Sequence, residues 1–267
     1  MADGWRLWLA YAGASIRGQA QYRSSFVIGI LGQFLVTVIE FLAVWTLFDR
    51  FGGLDGWTLP EVAVFYGVAH MSLAWADVLA TGFDHAGELI RTGGLDRLLL
   101  RPRSTVLQLI GYRFEVRRFG RLAQGLAMLV WGLSSGGGAI GGAGWLLVLG
   151  AIVGGGCLFL GLFVLRGTMS IWTVQSLELV NAATYGGVQA AQYPMSIYDR
   201  WFRRFFTYFV PLLAVIYLPV VTALDRPDPL GLPPWIGWVS WVVGPLSLVG
   251  AIQLWRLGLR HYTSTGS

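Results

Sequence analysis

The sequence predicts an all-α membrane protein with six transmembrane helices, and three observations carry the prediction. Hydrophobic residues fill 55% of the 267 positions and charged residues only 12%, well below the charge content of a soluble domain. Several apolar runs exceed the roughly 18 residues that call for a bilayer. The 19 basic residues are all arginines, and most fall on one set of alternating connections between those runs. A mean hydropathy of +0.61 fits this class, as do 13 Trp and 10 Tyr available to anchor helix ends at the interfaces.

The first element is an amphipathic helix over residues 1–24. In DGWRLWLAYAGASIRGQAQY, Trp5, Trp8, Leu9, Ala12 and Ile16 recur at helical spacing, while Arg6, Arg17, Gln19 and Gln21 occupy the rest of the wheel. Such a helix lies on the membrane surface. It is not read as a cleaved signal peptide, because the first long apolar run begins after residue 24 and is too long for an h-region.

Residues 25–267 form the transmembrane domain. Spans are expected at 25–49, 60–81, 114–133, 145–170, once between 178 and 224, and at 235–256. The glycine-rich piece GGGAIGGAG (136–144) carries no charge and joins the third and fourth spans as a hairpin, since no strand precedes it and no lysine follows. Gly150 and Gly154, in small-xxx-small spacing, are expected to admit the backbone of another helix.

Arginine placement orients the bundle. With a cytoplasmic N-terminus, thirteen arginines fall inside, eight of them between Arg91 and Arg121, against Arg50 and Arg226 firmly outside. Both termini are therefore expected in the cytoplasm. This puts GELIRTGGLDRLLLRPRS (87–104), within the loop 82–113, on the cytoplasmic side. Leu95 to Leu100 should form a short helix with Leu95, Leu98 and Leu99 on one face and Asp96, Arg97 and Arg101 beside them. Pro102 ends it, because the residue before a proline is pushed out of helical geometry. Two readings stay open on the residues alone: an apolar face that docks in a groove on another protein, or leucines that dip into lipid while arginines meet head groups.

GGLDRLLLRPRSTVLQLIGYRF, followed later by QYPMSIYDRWFRRFFTYFVPLLAVIYLP, resembles the membrane subunit of ABC-2-type ABC transporters, the bacterial permeases that work with a separately encoded ATPase. The resemblance runs from the surface helix through the last span. It implies that the loop after the second span carries a coupling helix, with Leu95, Asp96, Leu98, Leu99, Arg101 and Pro102 contacting the ATP-binding subunit. It also implies two copies of that ATPase, which hold ATP and magnesium; a second permease, identical or related; and a place among the lipids of a bacterial inner membrane. No cofactor or metal is expected on the chain itself, and nucleic acid is not an expected partner.

The fifth span has two readings. Hydropathy prefers 205–224, which keeps Arg200, Arg203 and Arg204 inside. The family fold implies 178–198 as the span, with 205–224 broken at Pro211 and Pro219 into a re-entrant helical hairpin before the last span. The second reading is preferred, with the arginine triplet standing against it.

Charges inside spans need partners or water. Asp77 and Arg166 fall at similar depth, about 26 and 32 Å from the outer starts of their spans at 1.5 Å per residue, and form a candidate pair; separate snorkelling to the inner interface is the other reading. Glu40, Gln175, Glu178 and Asn181 are candidate pathway residues, the last three at helical spacing on one face. Without lysine the chain has no standard Walker A site, and its single cysteine, Cys157, forms no internal disulfide. His70, His85 and His261 are scattered, and no nucleophile–base constellation appears, so no catalytic residue is assigned. The expected function is an ATP-driven export permease. A proton-coupled secondary transporter using Glu40 or Asp77 is the alternative, although no inverted repeat supports it. A lipid-acting enzyme is a third class, disfavoured by the same missing constellation.

Overall fold

The computed structural model describes residues 13, 23–53, 56–112, 115, 118–136, 140–172, 177–228 and 231–263. Its regular elements are all helical among those residues. In order they are α1 (Arg23–Phe51), α2 (Leu59–Asp84), α3 (Ala86–Arg91), α4 (Gly94–Leu99), α5 (Thr105–Ile110), α6 (Phe119–Ser134), α7 (Gly142–Met169) and α8 (Leu177–Ala191). A 3-10 turn, Met195–Ile197, then leads to α9 (Arg200–Tyr208). A π-helical turn, Leu213–Tyr217, runs into α10 (Leu218–Ala223), and a second 3-10 turn, Pro234–Val239, opens α11 (Ser240–Arg260). The expected surface helix over 1–24 lies almost wholly outside the described residues.

Three helical stretches among the described residues are long and apolar enough to cross a membrane: Leu59–Arg91, Gly142–Met169 and Pro234–Arg260. The pair Arg200–Tyr208 and Leu213–Ala223 makes a fourth if its two halves, bent by 84°, are taken as one span. The protein is thus a multi-pass, all-helical membrane protein.

α2 is the central post. It begins cleanly because the Thr58 backbone N–H donates to Glu61 Oε2 at 2.8 Å and Pro60 occupies the first turn, where no amide hydrogen is missed. It is buried along nearly its whole length, between α6 and α7. Within a bilayer such packing is driven by close van der Waals contact, which small residues permit. A Cβ on Gly67 would stand 2.6 Å from the Leu129 backbone nitrogen of α6. Gly150 and Gly154 receive α11: Gly244 lies directly on the Gly154 backbone, and the Trp241 indole covers Gly150.

α8 covers most of the expected 178–198 span, and 205–224 is not a continuous helix. The break falls at Pro211, which has no amide hydrogen and disfavours helical geometry in Val210 before it. Pro219, the second expected break, does not interrupt the chain. It sits in the first turn of α10, where its missing donor is harmless, and the preceding turn is widened to π geometry.

Contacts divide the bundle into two ends. At one end, Gly132 approaches Pro60, Gly144 approaches Ala223, Trp57 Nε1 donates to Ser196 Oγ at 3.1 Å, and Arg226 donates to both Glu61 carboxylate oxygens at 2.5 and 2.8 Å. That last bond raises the pKa of Arg226, which also lies 5.6 Å over the Trp57 ring. At the other end, Gly87 meets Ser170, Gly258 meets Thr168, and Trp255 Nε1 donates to Thr105 Oγ1 at 3.0 Å.

Candidate functional site

The segment from α3 to α5 is built as an anchored base with an exposed tip. Leu95 and Leu98 face inward, 0% and 6% exposed, packed with Phe83, Leu89, Leu109, Val164 and Trp255. Phe83 and Trp255 meet edge to face at 5.4 Å. Gly82 on α2 touches the Leu109 backbone of α5 so closely that no side chain fits between them. Gln108 Nε2 donates to the carbonyls of Leu98 and Arg103 at 3.0 and 3.1 Å, closing the turn that carries Pro102. Beyond that anchor Leu99 is 40% and Leu100 85% exposed, and Leu107 joins them at 66%. Arg97, Arg101, Pro102 and Arg103 are also exposed.

This divides the expected contact set. Leu95 and Leu98 are turned into the protein's own core, because one face of so short a helix must cover the ends of α2 and α11; they hold the tip and present nothing outward. Asp96 faces the chain's own C-terminal region, where burial and then the Asp96 carboxylate push the Tyr262 phenol up. Leu99, Arg101 and Pro102 are on the outside, and Leu100 and Leu107, absent from the expected set, are its most exposed apolar members. Helical spacing made Leu98 and Leu99 look equivalent; only the position of α11 tells them apart.

Beside this segment lies an ionic network. Asp77 and Asp84, two helical turns apart on α2, share one face. Arg118 bridges them: Nη1 donates to the Asp77 carboxylate and, at 2.9 Å, to its carbonyl, while Nη2 donates to Asp84 at 2.8 Å. Its Nε donates to Glu115 at 3.1 Å. Arg166 on α7 donates to Asp84 at 2.6 Å, and Arg121 reaches Asp77 at 3.4 Å. Asp77 and Arg166 therefore do not bond directly; they join one network through Arg118 and Asp84. The reason is geometric, since Arg166 stands level with Asp84, a full two turns beyond Asp77. Among the described residues, three carboxylates meet three guanidiniums here.

The third feature is a cavity of about 400 Å³ between α1, α2, α6 and α8. Glu40, His70, Arg121, Gln124 and Gln189 contribute its polar lining, with Val36, Leu73, Val188 and Tyr185 as apolar wall. Tyr66 orients Glu40: Gln124 Nε2 donates to the Tyr66 hydroxyl at 2.6 Å, and that hydroxyl donates to Glu40 Oε2 at 3.3 Å. His70 stacks on Tyr66 with ring centroids 3.9 Å apart, and its Nδ1 lies 3.0 Å from the Tyr66 carbonyl. Of the two expected pathway residues whose side chains are described, Glu40 lines this cavity and Asn181 does not. Asn181 stands on α8 with its buried Oδ1 unpaired among the described residues. Gln175 and the Glu178 side chain lie outside the described residues.

No curated protein and no solved structure matches the chain. A family model described as ABC-2 family transporter protein matches residues 34–266, which takes in the cavity, the network and the tip alike. The chain belongs to the ABC-2 family of transporter proteins.

Proposed function

We propose that this chain is the transmembrane subunit of an ATP-driven ABC exporter, coupled through the α4–α5 tip to a separate ATP-binding subunit. The observation that carries the reading is the division of α4, whose base is locked onto α2, α5 and α11 while Leu99 and Leu100 stand outside with Leu107 and the arginines. An apolar knob ringed with positive charge, on a rigid mount, suits a groove with an acidic rim. Force applied there is delivered to α2 through the Gly82–Leu109 contact.

In this reading six helices cross the inner membrane, α1, α2, α6, α7, α8 and α11. Both termini and the tip are cytoplasmic, and α9 with α10 forms a re-entrant hairpin at the outer side. Two such subunits, identical or related, face one another, and two ATPases bind ATP and magnesium. ATP binding closes the ATPase pair and shifts the bundle between inward-closed and outward-open states. Hydrolysis takes place on the partner, and no catalysis is assigned to this chain.

Co-purification with the ATPase encoded beside this gene tests the proposal. The native chain should retain the ATPase in detergent. A Leu100→Glu, Leu107→Glu variant should lose it while remaining monodisperse, because both side chains are exposed. A native chain that emerges alone, with the ATPase present and active, would count against the exporter. Proton-coupled transport is the second reading. Glu40 favours it, as a carboxylate with no cationic partner among the described residues.

A further inference from the structure

We propose that the cavity between α1, α2, α6 and α8 binds an apolar organic cation, with its positive group on Glu40 and its apolar body along Val36, Leu73 and Val188. The proposal deepens the permease reading by naming a cargo class, and it rests on that reading for its physiological meaning.

Charge balance is the first argument. Among the described residues, the Asp77, Asp84 and Glu115 carboxylates each pair with one or more of Arg118, Arg121 and Arg166. Glu40 is left over: its contact among the described residues is the neutral Tyr66 hydroxyl. Depth is the second. Glu40 lies about 16 Å from the Phe51 end of α1 at 1.5 Å per residue, near the middle of a hydrocarbon layer about 30 Å thick. Holding a carboxylate there is unfavourable without compensation, and a bound cation supplies it.

The walls narrow the chemistry. A volume of about 400 Å³ suits a small organic molecule. A hard metal ion would need some six to eight oxygen ligands, and the described lining side chains offer fewer, the oxygens of Glu40, Gln124, Gln189 and the Tyr185 phenol. An anion would look to Arg121, which already leans on Asp77 at 3.4 Å. Tyr185, half turned to the cavity, adds an aromatic face of the kind that attracts organic cations.

The test uses the full chain in lipid nanodiscs, without any ATPase, and measures equilibrium binding of radiolabelled tetraphenylphosphonium. Native protein should bind it saturably. Glu40→Gln should weaken binding about tenfold or more, the loss expected when one partner of a desolvated charge pair is removed. Glu40→Asp should keep most of it, and neutral triphenylphosphine oxide should compete poorly. Val36→Trp, which fills the cavity from the exposed side of α1 without changing charge, should also abolish binding, and it keeps the test informative if Glu40→Gln does not fold. Absence of saturable binding to native protein, equal binding by a folded Glu40→Gln variant, or equal competition by the neutral analogue would overturn the proposal. Because no ATPase is present, any of these leaves the co-purification result standing on its own.

Discussion

Leu98 and Leu100 belong to the same short arginine-flanked run and do opposite work. Leu98 is a core residue under Trp255, so Leu98→Ala should destabilise the protein by about 2–5 kcal/mol. Leu100→Ala, at 85% exposure, should change stability by no more than about 0.5 kcal/mol. Thermal unfolding in a single detergent checks both. Asp84 carries a larger stake, since it holds Arg118 and Arg166 at once. Asp84→Asn leaves both guanidiniums short of charge and should cost about 3–5 kcal/mol, whereas the double variant Asp84→Asn, Arg166→Gln should recover part of that loss. The charges at Asp77 and Arg166 were legible in the sequence as expensive groups at similar depth. Their partners were not, because Asp84 falls in the expected loop 82–113 and Glu115 and Arg118 in the first turns of the expected third span, and hydropathy does not say which helices meet there.

At the scale of helices, glycine decides how closely neighbours approach. Gly244→Val would press a branched side chain into the Gly154 backbone and should destabilise the α7–α11 pair by about 1–3 kcal/mol. Gly250→Ala on the same helix meets nothing within 4 Å and should be neutral or mildly stabilising. Thermal unfolding of the two variants side by side separates close approach from mere helix propensity. The Gly150 and Gly154 spacing announced a helix contact, but it could not name α11 as the helix. The stretch after α8 was harder to read: its apolar length alone looks like a span, and only the local chemistry of Pro211 betrays the 84° bend. The mild fate of Pro219 follows from its place in a first turn, which depends on where the previous turn ends.

Across the whole molecule, α2 links the three features. Its Gly82 end receives the tip through Leu109, its Asp77–Asp84 face carries the network, and Tyr66 with His70 borders the cavity. In the proposed reading, a displacement of the tip passes along this buried helix to Tyr66 and from there to Glu40 on α1, and so joins the proposed ATPase contact to the proposed cargo cavity. Weakening the mount should uncouple the two without destroying either. Trp255→Phe keeps the ring over Phe83 but removes the bond to Thr105. It should cost about 1 kcal/mol in stability and lower cargo-stimulated ATP hydrolysis in reconstituted complexes more than it lowers basal hydrolysis.

The most direct test of the central claim is site-specific photo-crosslinking in cells that express the ATPase. A photoreactive phenylalanine analogue is placed at Leu100, on the tip, or at Trp235, 67% exposed at the opposite end of the bundle. The account predicts a crosslinked ATPase from position 100 and none from position 235. Crosslinking from position 235, or none from position 100 while the ATPase is abundant, would contradict it.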